Sequence, residues 1–114
     1  MASLALAVPV MAAACGSSSG GSASGHAPAA VCQQTLAVLS DGPDPGADPV
    51  GYALSQIAPL GRIHTSDHAV ATTISQLIAA DRALVASKGD DHPASKAITR
   101  ADASLNTVCP GTAP

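Results

Sequence analysis

The sequence predicts an all-α fold, a small up-down bundle of about four short helices closed by a Cys32–Cys109 disulfide. Three observations carry that expectation. Apolar residues from Val31 onward recur at helical spacing, no alternating run rich in β-branched residues occurs, and the last two cysteines stand at the two extremities of the helical region. The chain has 114 residues, which suits one small domain, because a second core would leave each half too little apolar area to offset chain entropy. It is 46% hydrophobic, yet it contains one Tyr and neither Phe nor Trp, and Ala supplies 25 of the residues.

The first helix is expected from Val31, with Cys32, Leu36 and Leu39 on one face, ending in the turn cluster Asp41-Gly42-Pro43-Asp44-Pro45-Gly46. Asp48 is placed as the N-cap of the second helix and Pro49 at its first position; Val50, Leu54 and Ile57 form the expected stripe, and Pro59 with Gly61 closes it. Thr65 or Ser66 is the expected cap of a longer third helix, buried through Val70, Ile74, Leu77, Ile78, Leu84 and Val85 and stopped by Gly89 in a left-handed conformation. Asp91 or His92 precedes the fourth, whose stripe is Ala94, Ile98, Ala101, Leu105 and Val108, ending before Pro110. Up-down connections bring the start of the first helix and the end of the fourth to the same end, which is where Cys32 and Cys109 fall. Closing a loop of roughly 78 residues stabilises a fold by about 4.5 kcal/mol in the chain-entropy model. A core built on alanine and medium aliphatics needs such a staple.

Ahead of the helices lies a different kind of segment. No charged side chain precedes Asp41, and the apolar run Ser3–Ala14 is shorter than the roughly 20 residues needed to cross a bilayer. It reads as the apolar part of an export signal over residues 1–14. The ending Ala12-Ala13-Ala14-Cys15, followed by Gly16-Ser17-Ser18-Ser19-Gly20-Gly21, resembles the lipobox of bacterial lipoproteins. That resemblance implies acylation of Cys15 and anchoring to the outer face of the cytoplasmic membrane. The segment departs from the pattern in having Ala12 where Leu is usual and no Lys or Arg before the apolar run. Three cysteines are an odd number for an exported chain, and acylation of Cys15 leaves Cys32 and Cys109 as a pair. Residues 15–30 are read as the lipidated cysteine and a Gly/Ser/Ala tether with a reach of about 20 Å, residues 31–110 as the bundle and 111–114 as a short tail.

Composition limits function. A net charge of -3, with 8 Asp and no Glu, leaves no basic surface for phosphates, and the lack of aromatics leaves no platform for stacked bases; no nucleic-acid partner is expected. No phosphate loop, nucleophile elbow or Cys-x-x-Cys pair occurs, so no catalytic residues are assigned. The turn carrying Asp41, Asp44 and Asp48 lacks the closing bidentate Glu of a calcium loop and is stiffened by prolines. His64 and His68 stand four apart around Asp67, but a cap at Thr65 or Ser66 leaves His64 outside the helix, so no metal site is assigned. His26 falls in the tether, and His92 beside Asp90 and Asp91 reads as part of a charged turn.

Asp81 falls on the third helix's stripe between Leu77 and Leu84, so its carboxylate is aimed at the core or its margin and needs a partner or a raised pKa. Arg62, Arg100, His64 and the Tyr52 hydroxyl are the candidate partners, and Asp102 flanks the fourth stripe in the same way. The stretch Tyr52 to His68 gathers the one aromatic residue, two histidines and Arg62, and is the expected ligand-binding surface. A small exported helical domain with a cysteine at each end is similar in outline to the mycobacterial haemophore-like heme-binding domain. That resemblance implies heme as a cofactor, with Tyr52 and His64 or His68 as axial ligands. The family's Tyr-Leu-x-x-His-Pro motif is absent, Tyr52 being followed by Ala53-Leu54-Ser55-Gln56. The reading at this level is a membrane-anchored envelope lipoprotein acting as a non-enzymatic binding module for an envelope protein partner, with a small-ligand carrier as the alternative.

Overall fold

Helix starts are set by aspartates. In the computed structural model, which describes residues 27–114, α2 (Pro49–Gly61), α3 (His68–Ala86) and α4 (His92–Val108) each begin with an Asp accepting from the backbone N–H three residues on. Asp48 bonds Gly51 N at 2.9 Å, Asp67 bonds Val70 N at 3.0 Å and Asp91 bonds Ala94 N at 2.9 Å. The cap of α3 is therefore Asp67 rather than Thr65 or Ser66. Thr65 instead accepts from the Asp67 N–H at 3.0 Å, holding the carboxylate that does the capping. The first helix, α1 (Ala29–Leu39), has Pro28 at its N-cap position and no side-chain cap. Its start is tied down from outside: Ala27 N–H donates to Val108 O at 2.9 Å, and Cys32 is bonded to Cys109 with their Cα atoms 5.3 Å apart. Helix thus begins two residues before Val31, in a stretch whose composition alone reads as tether.

The ends differ from expectation in two places. Gly61 is not left-handed; α2 runs through Pro59 and stops at Arg62 in a right-handed cap. After α3, Lys88 at φ 55 is the first left-handed residue and Gly89 at φ 91 the second, with Gly89 N–H bonded to Leu84 O at 2.9 Å. Gly42, in the α1–α2 turn, has φ +96, and a Cβ there would stand 2.5 Å from Ser55 Oγ, so the turn needs glycine both for conformation and for close approach to α2.

The four helices run up, down, up, down, and no strand occurs among the described residues. One end gathers the start of α1, the end of α2, the start of α3 and the end of α4 in one apolar cluster that includes Val31, Leu60, Ile63, Val70, Leu105 and Cys109. The other end holds a smaller cluster of Ala53, Leu84 and Ala94. The central helix α3 packs on both α2 and α4, while α1 packs on α2. By length and composition α3 is the one helix among the described residues able to cross a bilayer, and its buried face packs inside the bundle.

Two of the expected stripes are rotated. On α1 the buried residues are Val31, Thr35 and Leu39, leaving Leu36 42% exposed; on α2 they are Ala53, Gln56 and Leu60, leaving Leu54 61% exposed. On these faces two polar residues enter the core with main-chain acceptors for their donors, while Gln56 Oε1 has no partner among the described residues. Thr35 Oγ1 donates to Val31 O at 2.7 Å, and Gln56 Nε2 donates to Asp41 O at 3.0 Å. Ala53, 1% exposed, allows the close approach of α2 to α3 that a leucine at its position would block. On α3 and α4 the expected faces are kept, with Ile78, Val85, Ile98 and Val108 at the half-buried margin. The segment after α4 packs back on the bundle: Thr112 is buried, and the Asn106 side chain pairs with the backbone of Ala113 at 2.9 and 3.3 Å.

Candidate functional site

Between the two apolar clusters lies a polar layer. On α3, Asp81 stands between Leu77 of the large cluster and Leu84 of the small one; on α4, Asp102 stands between Ile98 and Leu105; on α2, Gln56 stands between Ala53 of the small cluster and Leu60 of the large one. Antiparallel register, invisible in the sequence, brings Asp81, Asp102 and Tyr52 onto the wall of one cavity of about 170 Å³ between α2, α3 and α4. Ala53, Leu84 and Ile98 form its apolar wall, and exposed Pro45, Pro49, Ser95 and Pro114 edge it.

Asp81 is 2% exposed, and its Oδ2 has no hydrogen-bond partner among the described residues. None of its anticipated basic partners reaches it: Arg62, Arg100 and His64 are exposed and none lines the cavity. Burial raises the Asp81 carboxyl to about 7, and the neighbouring charge of Asp102 adds to the rise. Asp102, half-buried, is raised to about 6 by burial. Around neutral pH this pair therefore holds a proton that ordinary carboxylates would have lost.

Tyr52 has a structural bond of its own. Its hydroxyl donates to Leu39 O at 2.6 Å, closing one of the free carbonyls at the end of α1 and fixing that helix to α2. Burial, then the charges of Asp102 and Asp81, push the phenol up to about 12, so it stays a donor across the physiological range.

The structure does not bring Tyr52 together with the histidines. Nine residues of α2 separate Tyr52 from the helix end, roughly 14 Å at 1.5 Å per residue, and His64 and His68 lie beyond that end, both exposed. The stretch from Tyr52 to His68 is thus a helix and a connection with its polar groups at opposite ends, not one surface. His92 is exposed at the first position of α4, and no group of three or more His, Cys or Asp side chains able to hold a metal occurs among the described residues. Cys32 and Cys109 are consumed by the disulfide. Cys15 and His26 lie outside the described residues.

No protein-family model, curated protein or solved structure matches this chain.

A larger concavity lies elsewhere, an open groove of about 670 Å³ along α3 and α4. It exists because Ala79, Ala83 and Ala97 face one another there, and it holds no buried group lacking a partner. The chemistry is concentrated in the smaller cavity. Sequence pattern marked Asp81 and Asp102 separately by their places beside apolar stripes; Pro45 and Pro49 at the opening carried no such signal, since both read only as turn residues.

Proposed function

We propose that the chain is a cell-envelope lipoprotein, anchored through acylated Cys15 to the outer face of the cytoplasmic membrane, whose disulfide-closed bundle is a non-enzymatic binding module. The observation that carries this reading is the Cys32–Cys109 bond. Disulfides form and persist in oxidising compartments, so the bond supports export. It also leaves Cys15 as the single remaining cysteine, directly after Ala12-Ala13-Ala14 and directly before a run of Gly and Ser. Each buried methylene of an acyl chain contributes about 0.8 kcal/mol, so two or three chains give durable attachment.

Metabolic labelling with an alkyne-bearing fatty acid tests the anchor. The wild-type chain is expected to take the label and partition into detergent, and Cys15→Ser to lose both properties. An unlabelled wild-type chain recovered from the soluble fraction removes the reading.

A second reading, a carrier of a small ligand, is favoured by the cavity between α2, α3 and α4. At about 170 Å³ it is smaller than the roughly 300–1,000 Å³ typical of sites for drug-sized molecules. Heme bound between Tyr52 and His64 or His68 requires those residues to converge, and α2 holds them apart.

A further inference from the structure

We propose that the cavity between α2, α3 and α4 is a site for a small organic cation, a primary ammonium on a short alkyl stem, held by Asp81 and Asp102 and enclosed by Tyr52 and the proline edge. The inference rests on the binding-module reading and extends it to a ligand class.

Three features of the cavity select that ligand. Asp81 is 98% removed from solvent, lines the cavity and has an oxygen, Oδ2, with no partner among the described residues. Buried carboxylates without a counter-charge are costly, and in native structures they are paired or protonated. A second carboxyl, Asp102, lines the same cavity from the facing helix, and no lysine, arginine or histidine among the described residues lines it. The wall is therefore an acceptor pair awaiting donors, and an ammonium brings three.

The rest of the lining selects the stem. Ala53, Leu84 and Ile98 are apolar, and the Tyr52 ring is available because its hydroxyl is already bound to Leu39 O. A hydrated metal ion gains nothing from such walls, and the cavity volume admits only a few heavy atoms beyond the charged group.

Charge regulation gives the site a signature. Among the described residues the titratable side chains on its walls are Asp81 from α3, Asp102 from α4 and Tyr52 from α2; the 45–49 connection contributes only prolines, and the segment after α4 brings Pro114 with its main-chain oxygens to the same wall. Both carboxyls are raised into the range of about 6 to 7, so a cation entering near neutral pH displaces a proton. Affinity for the cation consequently rises from pH 5 to pH 8.

The test uses the full chain with Cys15→Ser, which is free of acyl groups, in an NMR titration with n-butylammonium. The expected result is saturable shifts at the amides of Asp81, Asp102 and Tyr52, at least tenfold weaker binding in Asp81→Asn and in Asp102→Asn, and unchanged binding in His64→Ala. Affinity is expected to increase at least tenfold between pH 5 and pH 8. Equal binding of neutral n-butanol, binding indifferent to both Asn substitutions, or response to magnesium ion but not to the amine overturns the inference. Melting curves of the Asn variants establish that they are folded. An absent amine response alongside acyl labelling of the wild-type chain rejects the cavity site and leaves the anchored-module reading standing.

Discussion

Asp81 shows how one residue's burial sets a property of the whole domain. Its carboxyl titrates at about 7 in the fold, against 3.8 ordinarily, so between those values the folded chain binds more protons than the unfolded one. Stability is then greatest below the unfolded pKa and declines as pH rises from about 4 to about 7, with Asp102 adding to the fall up to about 6. Each unit of difference corresponds to about 1.4 kcal/mol. Denaturant unfolding of the ligand-free protein is expected to give a lower free energy at pH 8 than at pH 5, by a few kcal/mol, on that conversion. Asp81→Asn is expected to flatten most of this slope and to raise the midpoint at pH 8. A slope of the opposite sign shows that the carboxyl is ionised and stabilised in the fold.

Along the helices, ends were more legible than faces. Asp48 with Pro49 and Asp91 before Pro93 mark helix starts by local chemistry alone, because the capping bond spans only three residues. The start of α3 is less legible because Thr65, Ser66 and Asp67 are all good caps, and which one is used depends on how the chain leaves α2. Asp67→Ala is expected to cost about 1 kcal/mol and Ser66→Ala a few tenths, measured by thermal melting. Comparable losses at the two positions mean that the cap is shared. The faces of α1 and α2 depart from the periodic pattern for a related reason. Periodicity ranks Leu36 and Leu54 above Thr35 and Gln56, but the core accepts the polar pair because Val31 O and Asp41 O stand ready to accept from them.

At the level of the molecule, the disulfide joins the start of α1 to the segment just after α4, 77 residues away. The chain-entropy model assigns it about 4.5 kcal/mol, comparable to the net stability of a small domain. Its position adds a local role. The helix α1 has no N-terminal side-chain cap and packs on one neighbour, so the Cys32–Cys109 bond and the Ala27–Val108 hydrogen bond hold its start, as the Tyr52–Leu39 bond holds its end. Cys32→Ser is expected to remove most of the stability and to speed exchange of the α1 amides before those of α3. A melting midpoint unchanged by the substitution means that packing on α2 suffices for α1.

The sequence by itself determined that this chain folds as helices, where α2 and α4 start and which cysteines pair, because caps, period and the cysteines' positions at the ends of an up-down bundle are short-range or topological facts. Only the tertiary structure decided that Asp81, Asp102 and Tyr52 share one cavity while Tyr52 and the histidines do not. Helix register and rotation are set by the packing of all four elements at once, and no local pattern along one helix encodes the level at which its neighbour's side chains arrive.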